Sequence, residues 1–492
     1  MDFDVFALDR LGLKFSVRDP IHGFIRFNEW EKSIIDHPWF QRLRRIRQLA
    51  FTEYIYPGAS HTRFEHSLGV MHVATRMFLR VITKCKSDLG RVVFEYGEDE
   101  QEEFTQDVLR TLQLIRLGAL LHDVGHGPFS HAAESVYPLR RGDGDKRLGH
   151  EDYSVAAIKM LTEIIDDSDH NKVDPKIEAG EVANLLEDSI DPCYSRRLQP
   201  LAAKILSSQL DADKLDYLLR DSHHVGVAYG LFDLERVIEA LSFCVEQPHV
   251  AADMEDEPSP EVLLAIEESD RHVAESVVIA RDRMFSAVYF HKTRRIFDLM
   301  LGHALAKIID EGLLPAPDCS GNLDSYLKWD DVRVLNALLH IKEHESTALA
   351  RAIRQRNFPR LIAETDSMST LETIKVELRK LGMVVVTDHE LAEGQSRPAG
   401  DPDIWMDTRT KFTTYKHDES LEIKLRPRQS VVGPDASVAL RFAPKRLSTE
   451  NLRIRLEDAL KPGYYRVYST EDKRKAASDA IRAKCGVQPL EP

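Results

Sequence analysis

Apolar residues recurring every three to four positions run through the first three hundred residues, and this spacing constrains the fold more than any other feature of the chain. From Val108 to Val124, the residues Val108, Leu112, Ile115 and Ala119 form one helical stripe, with Leu117, Leu121 and Val124 beside it. Gly125 supplies a C-terminal stop and Pro128 restarts the chain. Ser60 and Thr62 are candidate N-caps for a second helix running through Arg80. A third is expected from Ala212 to about His223, capped by Asp211, and a fourth from about Glu261 to Leu301. Segments 138–149 and 246–260, rich in Gly, Pro and charge, read as loops. Beyond about residue 380 the pattern changes: GMVVVTDHEL, SLEIKL, VALRF and YYRVY read as short strands. The expectation is a mainly α fold, with a helical core over residues 1–325. A smaller C-terminal α+β lobe over 326–492 is expected to serve oligomerisation or regulation. No internal repeat is visible.

The 492 residues are 43% hydrophobic and 30% charged, enough for a large core. The net charge of −15 argues against a general duplex-DNA binder, which needs a basic stripe, so nucleic acid is not an expected partner. It leaves room for a polyphosphate held by a local cluster of cations. The cysteines Cys85, Cys193, Cys244, Cys319 and Cys485 form no C-x-x-C pair and no disulfide framework. The opening MDFDVFALDR lacks the apolar region of a signal peptide, and no apolar run reaches membrane-spanning length. The expected location is the cytoplasm.

Three segments carry chemistry: HTRFEHSLG (61–69), LHDVGHGPFSH (121–131) and LDADKLDY (210–217). In the second, an apolar helix ends in His122-Asp123 beside glycines that let another backbone approach. A buried imidazole and carboxylate need partners, and a metal satisfies both. Taken alone, such a pair is more often a helix cap bonded to itself. The third segment shifts the balance. On a helix, Lys214, Tyr217 and Asp221 fall at i, i+3 and i+7, with Asp213 one turn before Tyr217. Asp211 is the natural N-cap, so the ligand role goes to Asp213.

The pattern H…HD…D, with RFEHSLG before it and LDADKLDY after it, resembles the HD-domain deoxynucleoside triphosphate triphosphohydrolases. DPIHGFI (19–25), FQRLRRIRQL (40–49), PGASHTRFEHSLGV (57–70), LLHDVGHGPFSH (120–131), HE (150–151) and DYLLRDSHHVG (216–226) follow in family order, over roughly residues 15–300. The pattern is most like that of animal members joining a SAM domain to an HD domain, although no SAM-like segment is expected ahead of this core. The resemblance implies an HD-domain helical core whose divalent metal ion (Mn, Fe, Mg, Zn or Ni) is held by His66, His122, Asp123 and Asp213. It implies that His131, Glu134 and His150 position water and protonate the leaving sugar oxygen, His150 being the acid. It further implies triphosphate contacts at Arg63 and Lys214. Gln48 and Leu49 would lie next to the sugar and base, and Tyr217, Asp221, Arg281 and Tyr289 would wall the pocket. Arg281, Phe285 and Tyr289 share one helical face. Phe285 and Phe290 replace a histidine and a glutamine of the family, which leaves base preference open. His126, His223 and His224 are read as structural and left outside the catalytic set.

The function implied is hydrolysis of a dNTP to a deoxynucleoside and inorganic triphosphate. Two alternatives stand beside it: another HD phosphohydrolase acting on a cyclic nucleotide, a guanosine polyphosphate or a monophosphate, and a nucleic-acid-binding protein or nuclease. The long collinear match disfavours the first. The second needs a basic face, whereas KLRPRQ, APKRLSTENLRIR and EDKRKAA are interspersed with acids. The resemblance also implies a homo-oligomer with a nucleotide effector. Asp36, Gln41 and Arg44 match guanine-reading positions, with Gln41 and Arg44 at i, i+3 on one face. Phe15, Ser16 and Arg18 depart from the animal pattern at the start of that site.

Overall fold

The computed structural model describes residues 3–93, 101–140, 147–187, 198–246, 261–319, 321–340, 347–388, 390, 401–408, 423–426, 445–447, 465–488 and 490. Helices dominate it. A hairpin near the start pairs Phe15–Asp19 antiparallel with Gly23–Phe27, and Asn28 caps the helix Glu29–Asp36 in a reciprocal capping box with Glu31. The helix Arg63–Val93 runs further than its caps suggested and packs along Gln101–Leu121. Val108, Leu112, Ile115 and Ala119 are fully buried in that packing. The helix Ala212–Val225 starts where Asp211 accepts the Lys214 N–H at 2.8 Å. It ends at Gly226 in the left-handed region and lies against Arg63–Val93.

The helix expected from Glu261 to Leu301 is not continuous. Glu261–Glu267 is a strand, because its apolar residues Val262 to Ile266 form an unbroken run, buried and paired antiparallel with Leu241–Glu246. The helix Arg271–Met284 follows, widens into one π-helical turn at Phe285–Tyr289, and is succeeded by the helix Lys292–Asp310.

In the C-terminal region a four-stranded sheet has the order Arg360–Thr365, Tyr465–Ser469, Ile404–Asp407, Val385–Thr387. The helices Met368–Lys380 and Arg474–Cys485 pack on it. GMVVVTDHEL and YYRVY supply two of its strands. SLEIKL supplies Ile423–Arg426, which pairs parallel with Glu261–Glu267 instead. VALRF, Cys193, half of the first expected loop (141–146) and nearly all of the second (247–260) lie outside the described residues. One apolar core unites the helices and takes in Tyr326, Trp329, Val334 and Leu338. A second, built from Ile362, Leu371, Ile374, Ile404, Val467 and Ile481, lies between the C-terminal sheet and its helices. Among the described residues, no helix is long and apolar enough to cross a membrane.

Candidate functional site

His122 follows directly on the Gln101–Leu121 helix, and its Nδ1 bonds the Ala119 carbonyl at 2.8 Å, turning Nε2 inward. His66, in the first turn of Arg63–Val93, is turned the same way: its Nδ1 lies 2.7 Å from Asp216 Oδ2. The His66 Nε2 then sits 3.0 Å from Asp213 Oδ1 and 3.6 Å from Asp123 Oδ2. His122 Nε2 lies 3.4 Å from Asp123 Oδ1 and 3.9 Å from Asp213 Oδ1. Both Nε2 atoms are buried without a hydrogen-bond partner. Ligand atoms of His66, His122 and Asp213 lie within 4.8 Å of one another. Two inward-facing imidazoles and two carboxylates fit a divalent cation with open positions. The electrostatics agree. Burial works against a charged His66, but Asp213, Asp216 and Asp123 outweigh it and raise its pKa to about 10. Burial likewise opposes ionisation of Asp213, yet His66 and His122 bring it down to about 2.

Beside this cluster, Glu134 Oε1 joins two rings, at 3.0 Å from His131 Nδ1 and 2.9 Å from His150 Nδ1. Although burial penalises the imidazolium, Glu151 and Glu134 raise the His150 pKa to about 9. Its Nε2 lies 4.0 Å from Asp123 Oδ1. His126, set aside in the sequence reading, stacks on His150 at 3.6 Å between ring centroids, with its Nε2 3.3 Å from Asp123 Oδ1. Backbone geometry fixes this arrangement. Phe129 and Ser130 both adopt left-handed φ, and the Phe129 N–H donates to Asp331 Oδ1 at 2.7 Å. Gly125 lets the start of the helix His150–Lys159 approach: a methyl there would stand 2.2 Å from the Ser154 nitrogen and 2.6 Å from the His150 carbonyl oxygen.

Arg63 Nη1 donates to Asp123 Oδ2 at 2.6 Å, and its Nε to Ser130 Oγ at 2.9 Å. Lys214 is tied to its own helix start, at 2.6 Å from Asp211 Oδ2 and 2.8 Å from the Ser208 carbonyl. Asp221 accepts the Tyr289 hydroxyl at 2.6 Å and lies 2.7 Å from His61 Nε2. The His61 carbonyl accepts the Gln48 N–H at 3.0 Å, and Gln48 and Leu49 are both buried. Tyr217 meets Tyr289 edge-on at 6.1 Å, and the Arg281 guanidinium lies 5.3 Å from the Phe285 ring centre. Phe285 and Phe290 stack at 6.1 Å.

Elsewhere, Arg44 Nε donates to Gln41 Oε1 at 3.0 Å, while exposed Asp36 pairs with Lys32. The cap of the helix Pro38–Gln41 is His37. Sequence reasoning overlooked Asp216, which binds His66, accepts from Arg220 Nε at 2.8 Å, and lies 2.6 Å from His22 Nε2. Its signal was present: it follows Asp213 by three residues on one helix, and His22 stands in DPIHGFI.

The chain matches the HD domain model over residues 63–219 and the HD associated region model over 232–388. It is 31% identical to the uncharacterized protein YwfO of Bacillus subtilis, over 69% of each chain. It is 28% identical to the human deoxynucleoside triphosphate triphosphohydrolase SAMHD1, over 74% of this chain and 57% of that one. The chain spans between 52% and 69% of the length of the first curated relatives it matches. A solved structure of a hypothetical protein from Aquifex aeolicus superposes with a TM-score of 0.62 at 24% identity, over 95% of this chain and 99% of that one.

Proposed function

The chain belongs to the HD-domain phosphohydrolase family, and we propose that it hydrolyses a dNTP to a deoxynucleoside and inorganic triphosphate, the activity named for relatives at 27% and 28% identity. The observation that carries this reading is the convergence of two unpartnered histidine nitrogens, from His66 and His122, on Asp123 and Asp213 beside the His131–Glu134–His150 group. A divalent cation held by these four residues would polarise a phosphate oxygen and acidify water. Arg63 supplies fixed positive charge for the phosphates, and Lys214 adds more once a phosphate replaces Asp211 as its partner. Glu134 holds His131 and His150, which orient the attacking water and deliver a proton to the leaving oxygen. The water oxygen bonds to the α-phosphorus, and the bond from that phosphorus to the 5′ oxygen breaks. The 5′ oxygen leaves as a protonated hydroxyl, and all three phosphoryl groups depart together. Gln48 and Leu49 lie next to the sugar and base, with Tyr217, Asp221, Arg281 and Tyr289 forming the rest of the pocket wall. A homo-oligomer with a guanine-nucleotide effector at Asp36, Gln41 and Arg44 belongs to the same reading.

The test is a panel of dNTPs and NTPs with Mn²⁺ or Mg²⁺, with products separated by ion exchange. Crowding of the 2′ position by Tyr289 predicts about 10²-fold slower turnover of ATP than of dATP, the discrimination that simple sterics supply. Equal rates on the two would contradict the pocket assignment.

A further inference from the structure

The turn that carries Tyr289 is gripped from the C-terminal sheet. The π-helical turn Phe285–Tyr289 ends before the helix Lys292–Asp310 begins, so the Tyr289 and Phe290 carbonyls fall in the break between two helices. Donors come from outside. Arg294 Nη1 donates to the Tyr289 carbonyl at 2.7 Å, and Arg466 Nη1 to the Phe290 carbonyl at 2.6 Å. Tyr468 Oη donates to the Lys292 carbonyl at 3.0 Å. Arg466 and Tyr468 lie on the central strand Tyr465–Ser469. In the sheet, Glu364, Arg466 and Asp407 stand directly across from one another on three adjacent strands. Glu364 fixes the guanidinium, accepting from Arg466 Nε at 2.8 Å. Asp407 accepts twice from Arg295, at 2.9 and 2.8 Å. One row of the sheet thus grips both flanks of the break, while the Tyr289 hydroxyl faces Asp221 at 2.6 Å.

We propose that Arg466, assisted by Tyr468, is a positioning residue for the substrate pocket, acting through the Phe290 and Lys292 carbonyls on the placement of Tyr289. The inference rests on the assignment of Tyr289 to that pocket. It gives the C-terminal region a direct part in binding: its central strand completes the pocket wall from behind.

The test compares full-length wild type with Arg466→Met, Arg466→Lys and Tyr468→Phe by amide hydrogen exchange and by steady-state kinetics on the dNTP turned over best. Arg466→Met should speed exchange at residues 285–292 and leave the Gln101–Leu121 helix unchanged. It should raise KM about fivefold to tenfold with kcat altered less than about twofold, the signature of lost binding rather than lost chemistry. Arg466→Lys, which keeps a donor, should return KM toward wild type, and Tyr468→Phe should show the Met effect more weakly. Unchanged protection at 285–292 overturns the proposal. So does a fall in kcat that tracks the thermal midpoint with KM constant. Failure of the wild type to hydrolyse any dNTP is instead the failure of the function proposed above, and the exchange result then decides this inference alone.

Discussion

His66 divides its two ring nitrogens between two tasks: Nδ1 bonds Asp216, and Nε2 faces Asp213 and Asp123. Asp216 is therefore the carboxylate that sets the ring's tautomer and aim, itself held by Arg220 and His22. Asp216→Asn should weaken metal binding by about 10- to 100-fold, the usual cost of losing such a partner, in a fluorescence-competition titration with Mn²⁺ or Zn²⁺. Unaltered affinity would mean that packing alone orients His66. At this scale the sequence was legible where chemistry coincides with a local signal. His122-Asp123 ends an apolar helix beside glycines, and Asp211 and Asp213 separate into cap and site by position. It was not legible where partners meet across the chain: His22 and Asp216 are 194 positions apart, and nothing in either segment names the other.

The helices that build the site were readable because one buried stripe gives one period. The strand Glu261–Glu267 was not, since a short, continuously apolar run looks alike in a buried strand and a buried helix. Its partners settle the matter: Leu241–Glu246 on one side, Ile423–Arg426 on the other. The break after Phe285–Tyr289 also escaped the sequence, because the donor to the Phe290 carbonyl, Arg466, is distant in the chain. Close packing of elements supplies a sharp prediction. At Gly125, an added methyl would collide with backbone at Ser154 and His150, and backbone has little freedom to yield. Gly125→Ala should destabilise the protein by about 1–3 kcal/mol, as overpacking does, and push the His122–Asp123 and His150 segments apart. Urea denaturation checks the first effect and metal content the second. Wild-type stability in that variant would show that the two segments pack more loosely than described.

Across the whole molecule, the helical core and the C-terminal sheet are joined through charge as well as apolar surface. Arg295 is buried between Asp407 and Asp298, at 2.8 and 3.1 Å. Arg295→Met would remove a cation that two buried carboxylates share, at a cost of about 3–5 kcal/mol. Calorimetry should show the loss, and an unchanged transition would argue that the two parts unfold independently. All of these contacts matter to function only if the assembled site does the chemistry assigned to it. The decisive measurement is the identity of the phosphate product when the purified protein is given a dNTP and Mn²⁺, with the His122→Ala/Asp123→Ala double variant alongside. The account predicts intact inorganic triphosphate and deoxynucleoside in equal amounts from the wild type. The double variant should yield neither product and hold no metal. Release of a deoxynucleoside monophosphate with pyrophosphate, or turnover that survives in the double variant, would contradict it.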